Sequence, residues 1–170
     1  GMPDGWEFVY APPSKLARML DDGYLAAAPV SIFACIANPT LDICPEICIS
    51  SNGPVRSVLI LSRVPAKEIS RVALDTSSLS GANYARIILS ESYGVRPEFT
   101  RIEPDILRMG VPDDVDAVLL IGDEAMLFNK DGLHVIDVGD EWTKLTGLPA
   151  VFAVWAGHGI NDELVSIFCE

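Results

Sequence analysis

Residues 70–94 read SRVALDTSSLSGANYARIILSESYG, and the order of residue types in them decides the fold. The apolar run at 70–76 predicts a short buried strand. Thr76, Ser77, Ser78 and Ser80 then crowd around Gly81, and Ser and Thr are helix-capping residues. Ala85, Ile88 and Leu89 follow on one helical face, with Ser92 continuing the stripe. Strand, small-residue turn and helix form the unit from which α/β folds are assembled. The turn has two uses. It caps the helix locally, and it can seat a small anion, because helix N-termini present free N–H groups and a positive dipole end. On spacing alone, simple capping by Ser78 or Ser80 is the commoner use.

The alternation extends in both directions. Residues 6–11 (WEFVYA) predict a strand, and 12–23 a helix entered at Pro12 and Pro13 and stopped at Gly23. Residues 24–37 are apolar throughout and predict a strand turning into a helix near Pro29. Strands are expected at 47–51 and 55–64, joined by an Asn52-Gly53 turn that Pro54 ends. Beyond the central helix, 97–103 predict a strand, 104–111 a short helix, and 115–123 (VDAVLLIGD) the strongest strand of the chain. Residues 133–149 read as strand, helix and loop, 150–156 as a last strand, and 161–170 as a last helix capped by Asn161. The expectation is an α/β fold with mixed, mainly parallel sheets.

Composition narrows the partners. The 170 residues carry a formal net charge of −12, which opposes binding to nucleic acid or anionic membranes. Hydrophobic residues make up 49% of the chain, enough for a sizeable core, yet no run of about 18 apolar residues escapes interruption by charge. The opening residues lack the basic and apolar regions of a secretory signal, so a cytoplasmic location is expected. Cys35, Cys44, Cys48 and Cys169 do not form two close pairs, and His134 and His158 stand alone. Reduced core cysteines are the simpler reading, and nothing in the spacing supports a metal site.

Three loops follow apolar strands: 50–57 (SSNGPVRS), 75–83 (DTSSLSGAN) and 121–126 (IGDEAM), and a fourth, 145–149 (LTGLP), leads into the last strand. In open α/β sheets, ligands bind where such loops and helix N-termini gather at the carboxyl ends of strands. A small dianion is the ligand such dipoles and hydroxyls suit, with Arg56 as a nearby cation.

The segments CISSNGPVRSVLILSRVPAKEISRVALDTSS, DAVLLIGDEAM and DVGDEWTKLTGLPAVFAVWA resemble, in order and wording, the chorismate dehydratases of the futalosine route to menaquinone. The resemblance runs from about Pro12 to Trp155. It implies the two-lobed, type II periplasmic-binding-protein-like fold, with lobe 1 at 1–70 and 148–170 and lobe 2 at 71–147. It also implies a cytoplasmic lyase that removes water from chorismate, a small cyclic carboxylate, without a cofactor. By the match, Ser78, Ser80, Gly81 and Ala82 bind a carboxylate, with Ser51, Asn52, Ser57, Asp123 and Thr146 as weaker correspondences. The family's opening Ser-Tyr-Leu-Asn strand has no counterpart here. The reading therefore expects a first lobe incomplete at both ends, with homodimerisation to cover its open edge. Two alternatives stay open: a non-catalytic binder of small carboxylates on the same fold, and an inactive, truncated family member.

Overall fold

In the computed structural model, which describes residues 6–75, 78–102, 110–161 and 164–166, strands and helices alternate along the chain. Contacts divide the chain into two compact units, one of residues 50–150 and one of 1–49 with 151–170. The sequence reading had placed 50–70 with the first lobe. They group instead with the larger unit, because the strand at 58–62 is hydrogen-bonded between two strands of that unit.

The larger unit holds β3 (Val58–Ser62), β4 (Arg71–Asp75), α3 (Leu79–Glu91), β5 (Glu98–Ile102), β6 (Ala117–Ile121), α4 (Gly122–Leu127), β7 (His134–Asp137) and α5 (Val138–Thr146). Its five strands form one sheet in the order β5-β4-β6-β3-β7. β4 runs parallel to β5 and β6, whereas β3 runs antiparallel to β6 and β7. The sheet is mixed, as expected. Its parallel part is confined to β4 and its neighbours, because β3 enters from the opposite end. The register places Val58 beside Ile121 and Leu59 beside Asp137. The start of β3 therefore shares one end of the sheet with the C-terminal ends of β4, β6 and β7.

The central strands are buried on both faces, which explains their unbroken apolar sequences. Ile60, Leu61, Val72, Leu74, Val118, Leu119 and Leu120 are almost wholly buried, each contributing about 1.5–3 kcal/mol of transfer free energy. α3 covers one face, with Gly81 lying over Leu119 and Val58. α4 covers the other, where Ala125 packs with Leu59, Leu61, Ala73, Val118 and Leu120. α3 also packs on α5, the Tyr84 and Trp142 rings meeting edge-on at 4.7 Å.

The smaller unit contains α1 (Pro13–Asp21), β1 (Ala27–Ser31), α2 (Ile32–Ala37), β2 (Asp42–Ser51) and β8 (Ala150–Gly157). Its sheet has the order β1-β8-β2, with Leu16, Leu20, Val30, Cys35 and Val154 among the core beneath it. Pro29 does not turn the chain. It sits within β1 opposite Trp155 on an edge strand, where a missing N–H is tolerated. The turn into α2 falls at Ser31, whose hydroxyl accepts the Phe33 N–H at 3.2 Å.

Residues 6–11, expected as a strand, form none. Phe8 is 61% and Tyr10 92% exposed, and an apolar alternation without a partner strand gains no ladder. The helix expected at 104–111 and most of that at 161–170 lie outside the described residues. Asn161 does accept the Leu164 N–H at 3.0 Å, as a cap should.

Candidate functional site

The end of the larger sheet where β4, β6 and β7 finish and β3 begins gathers most of the residues singled out from sequence. Its framework is the turn at 52–57. Gly53 N–H donates to Thr143 Oγ1 at 3.0 Å, fixing the turn to α5. Val55 N–H donates to Asp137 Oδ1 at 2.9 Å, and Arg56 N–H to Asp137 Oδ2 at 2.7 Å. Gly122 N–H donates to the Ser57 carbonyl at 2.7 Å, joining this turn to the start of α4.

Asp137 is the hub. Besides the turn, its Oδ1 accepts the Gly139 and Asp140 N–H groups at 3.0 and 3.1 Å, capping α5. One carboxylate thus satisfies orphan donors of a helix and of a turn some eighty residues distant in sequence. The close approach requires glycine at 139: a Cβ there would lie 2.6 Å from the Gly53 carbonyl oxygen and collide with Ser51 Oγ. Ser51 Oγ is itself buried without a hydrogen-bond partner. Asn52 is exposed, and the Ser57 hydroxyl reaches only the Val55 carbonyl, at 3.5 Å.

The start of α3 resolves the question its sequence posed. Ser78 Oγ accepts the Gly81 N–H at 3.1 Å, so this serine is the cap and that N–H is occupied. Ser80 and Ala82 are buried, and Gly81 is glycine because a Cβ would lie 2.6 Å from Ser78 Oγ and 3.2 Å from Leu119 and Val58. Thr76 and Ser77 lie outside the described residues. The Ser78 hydroxyl keeps its own proton for a further acceptor.

Asp123 stands exposed in the first turn of α4, a helix of six residues where the sequence suggested a loop. Thr146 is not part of the group. Its hydroxyl donates to the Trp142 carbonyl at 2.8 Å and accepts the Leu148 N–H at 3.1 Å, closing the far end of α5, about 13 Å from its start. Two residues that sequence reasoning passed over belong here. Asp137 was read as part of a strand, and Asp75, at the end of β4, is only 5% exposed. The signal for Asp75 was present: a carboxylate ending an otherwise apolar strand, just before a cap.

Electrostatics outside this group are those of surface support. Burial, then a hydrogen bond to Glu141, pushes the Tyr93 hydroxyl up to about 12. Lys144 pairs with Asp140 at 2.7 Å and Glu141 at 2.8 Å, and these bonds raise its ammonium above the usual lysine range. A cavity of about 390 Å³ lined by Arg63, Val111, Leu127, Phe128 and Leu133 lies beyond the other end of β3, and none of the candidate site residues lines it. Among the described residues, no three His, Cys, Asp or Glu side chains are placed to hold a metal ion. No described helix is long and apolar enough to cross a membrane.

A family model described as menaquinone biosynthesis matches residues 1–161. A chorismate dehydratase of Thermus thermophilus is 29% identical over 171 residues, covering 90% of this chain and 62% of that protein. The chain thus spans a little under two thirds of that relative's length. Among solved structures, AF1704 of Archaeoglobus fulgidus superposes with a TM-score of 0.70 at 19% identity, covering 95% of this chain and 61% of that one. The periplasmic aliphatic sulphonate binding protein of Escherichia coli superposes with a TM-score of 0.60 at 20% identity, covering 94% of this chain and 56% of that one. The fold is that of the type II periplasmic binding proteins.

Proposed function

The chain belongs to the menaquinone biosynthesis family, and from that premise we propose that it works as a chorismate dehydratase. The proton at C3 of chorismate and the hydroxyl at C4 leave as water, and the ring becomes aromatic in 3-enolpyruvylbenzoate. The elimination is redox-neutral and drives itself through aromatisation. The protein's task is to seat two carboxylates and orient the ring. On this reading the enzyme serves the futalosine route in the cytoplasm, and the Ser78 and Ser80 hydroxyls at the start of α3 hold one carboxylate, the Gly81 N–H being taken by Ser78.

The observation that supports the reading is the convergence at one sheet end of the α3 start, the α5 start and the 52–57 turn. Their backbone N–H groups named above are held by Thr143, Asp137 and Ser78. What they offer a substrate with two negative charges, in a strongly acidic protein, is the Ser78 hydroxyl and the helix dipoles. Dimerisation remains part of the reading. β2 is an edge strand with Ile43 and Ile49 43% and 62% exposed, a surface a second copy can cover.

The test is incubation of the purified chain with chorismate and detection of 3-enolpyruvylbenzoate by mass spectrometry. Product above the uncatalysed rate, reduced roughly tenfold or more by Ser80→Ala, is the expected outcome. Thermal stabilisation by chorismate without product would instead favour a carboxylate-binding protein. Neither turnover nor stabilisation would remove both readings.

A further inference from the structure

Resting on the reading of a two-carboxylate substrate, we infer that Arg56 is the specificity-determining cation for the second carboxylate and that Asp137 is the residue that positions it. Arg56 is the one non-glycine residue with positive φ among those described, at 64°. An arginine in the left-handed region is strained, and such strain persists only where surrounding bonds hold it. Asp137 supplies those bonds, through Oδ1 to Val55 N–H and Oδ2 to Arg56 N–H.

The same bonds keep the guanidinium available. Asp137 is the acid nearest in the hydrogen-bond network, and its two oxygens already accept four backbone N–H groups. Among the described residues, no carboxylate forms an ion pair with Arg56, and its side chain is exposed. Within the segments that meet at this end (50–57, 78–82, 121–124 and 137–141), Arg56 is the sole cation, and of their five carboxylates Asp140 and Glu141 are paired with Lys144 further along α5. A turn built this way presents a single exposed fork-shaped donor, two residues before the Val58 that lies under the start of α3. A guanidinium grips a carboxylate with two parallel bonds, a geometry lysine cannot copy. With one carboxylate at the start of α3, Arg56 takes the other, and the site selects cyclic dicarboxylates over monocarboxylates.

The experiment is calorimetric titration of chorismate, with two carboxylates, and shikimate, with one, into the wild-type chain and three single variants. Arg56→Gln is expected to weaken chorismate binding roughly 10- to 100-fold and shikimate binding little, so that the preference collapses. Arg56→Gly relieves the backbone strain, so it keeps or raises the melting temperature while losing the same preference. This pairing separates recognition from folding. Asp137→Asn lowers chorismate affinity in the wild type but adds nothing in the Arg56→Gln background, the non-additivity expected of a positioning residue. Unchanged chorismate affinity in Arg56→Gln, or equal losses for both ligands, overturns the assignment of Arg56 alone. Additive losses overturn that of Asp137. A wild-type chain that neither binds nor converts chorismate overturns the dehydratase reading, and this inference with it.

Discussion

Two helix starts at the same end of one sheet are capped in opposite ways. At α3, Ser78 closes the first turn from within three residues, bonding Gly81 N–H at 3.1 Å. At α5, Asp137 closes the first turn and also reaches Val55 and Arg56, 82 and 81 residues away. The first cap is a local event that a short peptide could make. The second exists only when β3 and β7 are already paired, since Leu59 lies beside Asp137 in the ladder. A cap of the first kind stabilises a helix. A cap of the second kind fixes a loop relative to a helix, and so shapes a binding surface.

The glycines beneath the two caps test this difference most severely. Gly139→Ala forces a Cβ to within 2.6 Å of the Gly53 carbonyl oxygen, part of the backbone of the turn. The turn must move, and we expect a loss of roughly 3 kcal/mol in urea unfolding together with loss of chorismate binding. Gly81→Ala meets Ser78 Oγ, Leu119 and Val58, all side-chain atoms, at 2.6 to 3.2 Å. Those can shift, and alanine is the better helix former, so the expected loss is nearer 1 kcal/mol. Equal losses at the two positions would break the distinction between a cap that holds a helix and one that holds a turn.

The caps themselves give the next effect. Asp137→Ala removes the acceptor of four N–H groups and should cost about 2–3 kcal/mol. Ser78→Ala removes one cap bond and should cost about 1 kcal/mol. Denaturant titrations of the two variants measure both. A Ser78→Ala loss as large as that of Asp137→Ala would mean that the α3 start carries more of the structure than its bonds show.

What could be read from sequence divides along the same line. The strand at 71–75, its cap and the helix at 79–91 were legible because their signals are local: an apolar run, hydroxyls, then a 3.6-residue period. The strongest apolar run duly became the central strand β6. The direction of β3 was not legible, because apolar content carries no sign of parallel or antiparallel pairing. The 50–57 loop does follow an apolar strand, β2, but that strand lies in the other sheet, and the antiparallel start of β3 brings the loop to this end. Thr146 was grouped with the site by family wording, yet helix length alone places it at the far end of α5. Asp137 was hidden for the most general reason. Its partners are near in space and distant in sequence, and a single chain gives no sign of that.

Asp116 extends the comparison to a third carboxylate and carries the smallest effect. It accepts Ser70 Oγ at 2.7 Å and the Ser70 and Arg71 N–H groups at 2.8 Å each, across some 45 residues. It too fixes a chain entry, that of β4, and the Ser70 hydroxyl and amide foremost hold its acid below the usual value of 3.8. A lowered folded value favours the charged form in the native state. The stabilisation is therefore complete above pH 3.8 and fades as pH falls through the folded value. Melting temperatures of wild type and Asp116→Asn should differ modestly near neutrality, because the group is largely solvated, and converge in that acid range. If the gap instead stayed constant from pH 7 down to pH 3, charge would play no part at Asp116. Long-range caps of this fold would then act through shape alone, and the loss expected of Asp137→Ala would be one of geometry rather than charge.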